Sequence, residues 1–157
     1  MIIDVNNKFD ITIRSMQSQD IEHVYAIEKA IFTDAWPLVA FKECLMFNEN
    51  YILYSNDNEE VLGYLIGIGI EDEYSIYNIA IKESHQRQGL ASYLLKTVIN
   101  IHDKKYEFYY LEVRKSNVKA RAFYDSFNFV ESYTRRNYYS NPVEDALVLK
   151  LRIHKHE

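Results

Sequence analysis

The stretch from Tyr51 to Ala91 constrains the fold more than any other part of the chain. Three runs rich in β-branched and aromatic residues, Tyr51 to Tyr54, Val61 to Ile70 and Tyr74 to Ile81, are separated by the polar turns Ser55-Asn56-Asp57-Asn58 and Glu71-Asp72-Glu73. Such runs between turn-forming residues predict three antiparallel strands. Directly after them, Gln86-Arg87-Gln88-Gly89-Leu90-Ala91 leads into Leu90 to Ile101, where apolar residues recur at helical spacing. Three strands that feed a helix through a glycine turn require a sheet covered by helices.

The flanking segments extend this pattern. Phe9 to Arg14 alternates as a strand does, and Gln17-Ser18-Gln19-Asp20 offers helix caps ahead of Ile21, Val24, Tyr25, Ile27, Glu28 and Ile31 at helical spacing. Pro37 suits the first turn of a second helix through Val39, Phe41 and Leu45. Phe108 to Val113 reads as a short buried strand, Val118 to Phe127 as a helix, and Phe129 to Arg135 and Ala146 to Leu151 as closing strands. The order β-α-α-β-β-β-α-β-α-β-β predicts a mixed α/β (α+β) fold rather than a doubly wound nucleotide fold.

With 157 residues and neither repeat nor linker, the chain is expected to form a single domain, 1–157, with loose ends at 1–8 and 152–157. Its apolar runs fall short of the roughly 20 residues of a membrane span, and its first residues lack the layout of a signal peptide, so a cytoplasmic location is expected. A single cysteine, Cys44, excludes an internal disulfide and a multi-cysteine metal site. The five histidines show no metal-ligand spacing, so no metal is expected. A formal charge of −5 argues against a general nucleic-acid binder and favours a cationic partner.

Three constellations carry chemistry. Gln86 to Ala91 lies between a strand and a helix N-terminus, where unpaired backbone N–H groups and the helix dipole suit a pyrophosphate, with Gly89 for close approach and Arg87 for charge. The pattern alone fits an ordinary strand-to-helix loop equally well, and it is neither a Walker loop nor G-x-G-x-x-G. Gly63, Gly67 and Gly69 lie inside a strand, where bulges or close packing explain them. Glu112, at the end of a strand, and Tyr124, on the next helix, form a candidate proton-accepting and proton-donating pair; spacing alone favours the plainer reading, a strand-end carboxylate and a buried ring. Arg135-Arg136-Asn137-Tyr138-Tyr139 could bind nucleic acid, but in an acidic chain it fits the shaping of a groove better.

Asn78-Ile79-Ala80-Ile81, the Gln86 to Ala91 turn, Leu111-Glu112-Val113-Arg114 with Asn117, Ala122-Phe123-Tyr124 and Arg135 to Tyr139, in this order, resemble the GNAT superfamily of N-acetyltransferases. Within it the chain looks like the bacterial ribosomal-protein-alanine N-acetyltransferases, from about Phe9 to about Leu151. The resemblance implies a central, twisted, mostly antiparallel sheet of about seven strands flanked by about four helices. It also implies acetyl-CoA as co-substrate: the backbone of Asn78, Ile79, Ala80 and Ile81 would pair with the pantetheine arm, and Gln86, Arg87, Gln88, Gly89, Leu90 and Ala91 would hold the pyrophosphate. Asn117 falls on the family's side-chain ligand to the cofactor, Glu112 on its general base and Tyr124 on its general acid. The chain departs from the family at Asp34-Ala35-Trp36, where Phe-Pro-Trp is usual in the region that faces the acceptor. It departs again at Asn128, where Gly is usual and Asn keeps a left-handed cap.

The expected reaction is direct transfer to the N-terminal α-amine of a protein, most simply the N-terminal alanine of a small-subunit ribosomal protein. A backbone N–H near Ile79 to Ile81 would stabilise the oxyanion. An α-amine titrates near 7.7–8.0 and lysine near 10.4, which spares a base about 3–4 kcal/mol on an N-terminus. The expected partner is thus a protein N-terminus, with no nucleic acid or membrane, and the enzyme a monomer or weak homodimer. A lysine side chain or a small amine, such as a polyamine or antibiotic, is the alternative acceptor. A non-catalytic acyl-CoA-binding module would keep the turn without needing Glu112 and Tyr124.

Overall fold

The computed structural model describes residues 2–5, 8–47 and 49–154, and the chain divides into two compact units, Met1–Ile68 with Asn78–His102, and Gly69–Tyr77 with Asp103–Glu157. The fold is mixed α/β, with eight strands in the order β1-β2-β3-β4-β5-β6-β8-β7 and four α-helices among the described residues.

In the first unit, β1 (Ile2–Val5) pairs antiparallel with β2 (Phe9–Ser15), β2 with β3 (Tyr51–Ser55), and β3 with β4 (Glu60–Ile70). Strand β1 lies where a loose end is expected from sequence; it adds an eighth strand to the seven legible ones. The β3–β4 register shifts between Leu53 and Tyr54, a bulge within the glycine-containing run. A Cβ on Gly63 would stand 2.8 Å from the Ala80 carbonyl oxygen, so close strand approach requires glycine there.

Helix α1 (Ile21–Ile31) starts from a short 3-10 turn at Ser18–Asp20, capped reciprocally by Gln17 and Asp20. Asp20 also forms a two-pronged ion pair with Arg14, at 2.7 and 2.9 Å. The helix buries Ile21, Val24 and Ile27 together with Met16, Ile52, Tyr64 and Ile66. Helix α2 (Leu38–Phe47) adds Phe41, fully buried among the rings of Trp36, Tyr25 and Tyr64 at 5.6–6.4 Å. Helix α3 (Leu90–His102) buries Leu90, Leu94, Leu95 and Val98 at helical spacing.

In the second unit, the first part of β5 (Glu73–Ile81) pairs parallel with β6 (Phe108–Arg114), from Glu73↔Phe108 to Ile76↔Leu111, where the register ends. Strand β8 (Val143–Arg152) pairs antiparallel with β6 along its full length and with β7 (Val130–Ser140) on its other edge. Residues of β6 alternate strictly. Tyr109, Leu111 and Val113 are buried, which places Phe108, Tyr110, Glu112 and Arg114 on the other, half-exposed face. Helix α4 (Val118–Asp125) ends ahead of Asn128 at φ 69°, the left-handed position expected of that residue.

Candidate active site

The turn that opens α3 has the shape its residues suggest. Arg87 and Gly89 both take positive φ, 61° and 81°, and no atom lies within 4 Å of where a Gly89 Cβ would stand. The first helical bond runs from the Tyr93 N–H to the Gly89 carbonyl at 3.0 Å, so the N–H groups of residues 89–92 have no partner within the helix. Leu90 is buried and fixes the turn from below, Ala91 is half-buried, and Arg87 is exposed. N–H groups without helical partners beside a cation fit a diphosphate. The side chain of Gln86 is otherwise engaged: its Nε2 donates to the Ile81 carbonyl at 3.0 Å, which ties the turn to the end of β5. Gln88 accepts from the Lys8 ammonium at 2.8 Å.

At the start of the cofactor segment expected from the resemblance, Asn78 donates its Nδ2 to Glu28 Oε2 at 2.6 Å. Glu28 is 1% exposed and also accepts from the Tyr64 hydroxyl and, at 3.2 Å, from the Trp36 N–H. Burial, then the charge and hydrogen bond of Glu28, push the Tyr64 phenol far above its ordinary value. Sequence reasoning missed this network. The available signal was a carboxylate lying in the apolar stripe Ile21, Val24, Glu28, Ile31, which demands internal partners. Ala80 and Ile81 are buried, and Ile79 is half-buried.

In the second unit, Glu112 lies one residue past the last parallel pair of β5 and β6, on the half-exposed face of β6. Arg135 Nε stands 2.8 Å from its Oε1, and the Tyr138 hydroxyl is hydrogen-bonded to the same carboxylate; that bond is the largest cause of the raised Tyr138 phenol. Tyr139 is pushed up to about 12, first by burial and then by the charge of Glu112. The Arg114 guanidinium lies 4.3 Å from the Tyr139 ring centre and reaches Glu144 at 3.3 Å. The Arg135 to Tyr139 segment thus builds the surroundings of Glu112, a link absent from the sequence reading.

Tyr124 sits on the buried face of α4, its ring against Phe123 and Phe129 at 5.0 and 5.6 Å. Burial raises its phenol well above the ordinary range. Asn117 is the N-cap of α4, its Oδ1 accepting from the Ala120 N–H at 3.1 Å, which leaves the amide N–H donors for other use. Cys44 is half-buried within α2, and burial followed by the Glu43 charge raises its thiol, so it is a poor nucleophile. Among the described residues no group of His, Cys, Asp or Glu is arranged to hold a metal. Nor is any described helix long and apolar enough to cross a membrane.

The [ribosomal protein bS18]-alanine N-acetyltransferase of Escherichia coli (strain K12) is 34% identical over 146 residues, covering 90% of this chain and 97% of that protein. A crystal structure of the ribosomal-protein-S18-alanine N-acetyltransferase from E. coli superposes with a TM-score of 0.86 at 32% identity, over 94% of this chain and 96% of that one. A GNAT family acetyltransferase from Elizabethkingia anophelis, solved with acetyl-CoA bound, shares the fold at a TM-score of 0.73 and 20% identity, over 91% and 98% of the two chains. The profile described as acetyltransferase (GNAT) family matches residues 21–129, which include the α3 turn, Glu112, Asn117 and Tyr124. Those residues, set on this fold and matched over most of its length, make the chain a member of the acetyltransferase (GNAT) family.

Proposed function

We propose that this enzyme transfers the acetyl group of acetyl-CoA to the N-terminal alanine of ribosomal protein bS18, as the names of its relatives state for those proteins. The observation that carries the reading is Glu112, a partly exposed carboxylate on β6 surrounded by hydroxyl and guanidinium donors. The whole chain, 1–157, acts as one acetyltransferase domain in the cytoplasm, as a monomer or weak homodimer, without nucleic acid or membrane.

Acetyl-CoA supplies the thioester whose carbonyl carbon accepts the amine. The backbone of Asn78, Ile79, Ala80 and Ile81 pairs with its pantetheine arm; the end of the β5–β6 register at Ile76↔Leu111 supports this role. Gln86, Arg87, Gln88, Gly89, Leu90 and Ala91 bind the pyrophosphate, Gln86 by shaping the turn and the others through N–H groups and the Arg87 charge. Asn117 contributes its amide N–H. Glu112 takes a proton from the acceptor amine, directly or through water. Tyr124 offers its hydroxyl to the departing sulfur as a hydrogen-bond donor. With its phenol raised by burial, full proton donation is more uphill than for an ordinary tyrosine, whose distance from a thiol is already about 2 kcal/mol.

Acetyl transfer to peptides starting with Ala, Met or Ser, to an internal lysine and to small amines tests the reading, with Glu112→Gln and Tyr124→Phe alongside. Transfer confined to the Ala α-amine is expected. Glu112→Gln is expected to lower kcat by about 10² to 10⁴, and Tyr124→Phe to lower kcat more than acetyl-CoA affinity by calorimetry. Activity on lysine or small amines alone would replace the acceptor, and full activity of Glu112→Gln would remove the base.

A further inference from the structure

The inference here rests on Glu112 as the base and concerns what occupies its carboxylate before the acceptor arrives. Strand β7 is an edge strand exposed along almost its whole length. Register places Glu112 beside Val148, Val148 beside Tyr133, and Arg135 two pairs further along, beside Ala146. Arg135 therefore reaches across the full width of β8 to touch Glu112. Past Arg135 the register shifts before Tyr139. There Asn137 takes φ 50° and gives its N–H to Asp145 at 2.9 Å, and Arg135 and Tyr138 both contact Glu112.

Arg135 is also held from outside. One guanidinium nitrogen donates to the Tyr133 hydroxyl at 3.2 Å, and the group lies over the Tyr133 and Tyr138 rings at 5.5 and 5.8 Å. Its side chain is 47% exposed, against 29% for Glu112. An ion pair this open to water is weak and readily exchanged for another. The acceptor brings such a replacement, because an α-amine with a pKa of about 7.7–8.0 reaches neutral solution largely as ammonium.

We propose that Arg135 is a positioning residue that pairs with Glu112 in the resting enzyme and is displaced by the ammonium group of the acceptor. Binding then exchanges one cation for another at the same carboxylate, with the Tyr133 and Tyr138 rings receiving the released guanidinium. The ammonium next gives one proton to a Glu112 oxygen: an N–H bond breaks, an O–H bond forms, and the amine keeps the electron pair for attack. The Glu112 oxygen that held the guanidinium is then the one that faces the acceptor N–H, so acceptor binding and exposure of the base are one event. The other groups around it are Tyr138 and Tyr139 from β7, Tyr77 from β5 through Tyr138, and Arg114 on β6 with Glu144 of β8 beside Tyr139.

Steady-state kinetics of Arg135→Gln and Arg135→Lys with an Ala-starting peptide test this at low salt and pH 8. Arg135→Gln is expected to lower the acceptor KM up to about five-fold, the scale of an exposed ion pair, with the acetyl-CoA KM unchanged. Arg135→Lys should stay near wild type in both. In the wild-type enzyme, the Arg135 Nε–H NMR signal should shift on titration with the peptide, a readout that needs no substitution. An acceptor KM that rises or stays put, or an Nε–H signal unmoved by saturating peptide, would overturn the proposal. Glu112→Gln separates the two ideas. If it is inactive while Arg135→Gln leaves the acceptor KM unchanged, the exchange alone fails; if it is fully active, the base assignment fails first.

Discussion

Asp20 shows how one buried carboxylate sets the start of a helix. Burial pushes its carboxyl up, but the Arg14 hydrogen bond, the Gln17 N–H and the Arg14 charge together bring it below the ordinary 3.8. A depressed folded-state value means the stabilisation is present above 3.8 and is lost as pH falls through the folded value. Urea melts between pH 7 and pH 2 should therefore show a stability loss below about pH 4 that Asp20→Asn lacks, the variant being less stable at pH 7 by about 1–3 kcal/mol. Equal acid limbs in the two proteins would assign the loss to other carboxylates. Glu112 differs in kind. Its partner Arg135 is 47% exposed, which suits the proposed exchange with an acceptor, whereas Asp20 and Glu28 are sealed by theirs.

At the level of elements, α4 carries both a structural and a proposed ligand role through one residue. Asn117 uses its oxygen to cap the helix and has amide N–H donors left over. Asn117→Asp keeps the capping oxygen and removes those donors, while Asn117→Ala removes both. Thermal melts should show Asn117→Ala destabilised by about 1 kcal/mol and Asn117→Asp close to wild type. Both should raise the acetyl-CoA KM; an unchanged KM in Asn117→Asp would leave only the cap. Helix α1 makes a similar double use of its buried stripe. Glu28 interrupts the apolar positions, and by accepting from Tyr64, Asn78 and Trp36 it ties β4, β5 and the segment before α2 to one side chain. Neither partner of Glu28 on the strands is near it in sequence, so the helical period showed the oddity without its resolution.

For the whole molecule, the proposed cofactor contacts of the first unit and the proposed base and donor of the second, Glu112 and Tyr124, are both included in the one family profile. A ligand that binds only the native state raises stability by mass action, about 2.7 kcal/mol at a hundredfold excess over Kd. Acetyl-CoA should accordingly raise Tm in a concentration-dependent way, and Arg87→Gln, an exposed substitution, should shrink the shift while leaving the ligand-free Tm in place. A Tm shift of equal size in that variant would remove Arg87 from the phosphate contacts.

The periodicities of the chain alone determined its helices and seven of its strands. A period of 2 or 3.6 is a local property, as are the caps at Gln17 to Asp20 and the left-handed positions at Gly89 and Asn128. The resemblance pointed to Glu112, Tyr124 and Asn117 because its motifs are also local. Strand β1, four residues long, was too short to show a period. Only the tertiary structure decided what surrounds the chemistry: that Arg135 and Tyr138 meet Glu112 across an intervening strand, and that Glu28 is satisfied from 36 and 50 residues away. Those contacts depend on strand register and on a bulge in β7, both set when the sheet assembles around its core, so no window of sequence contains them.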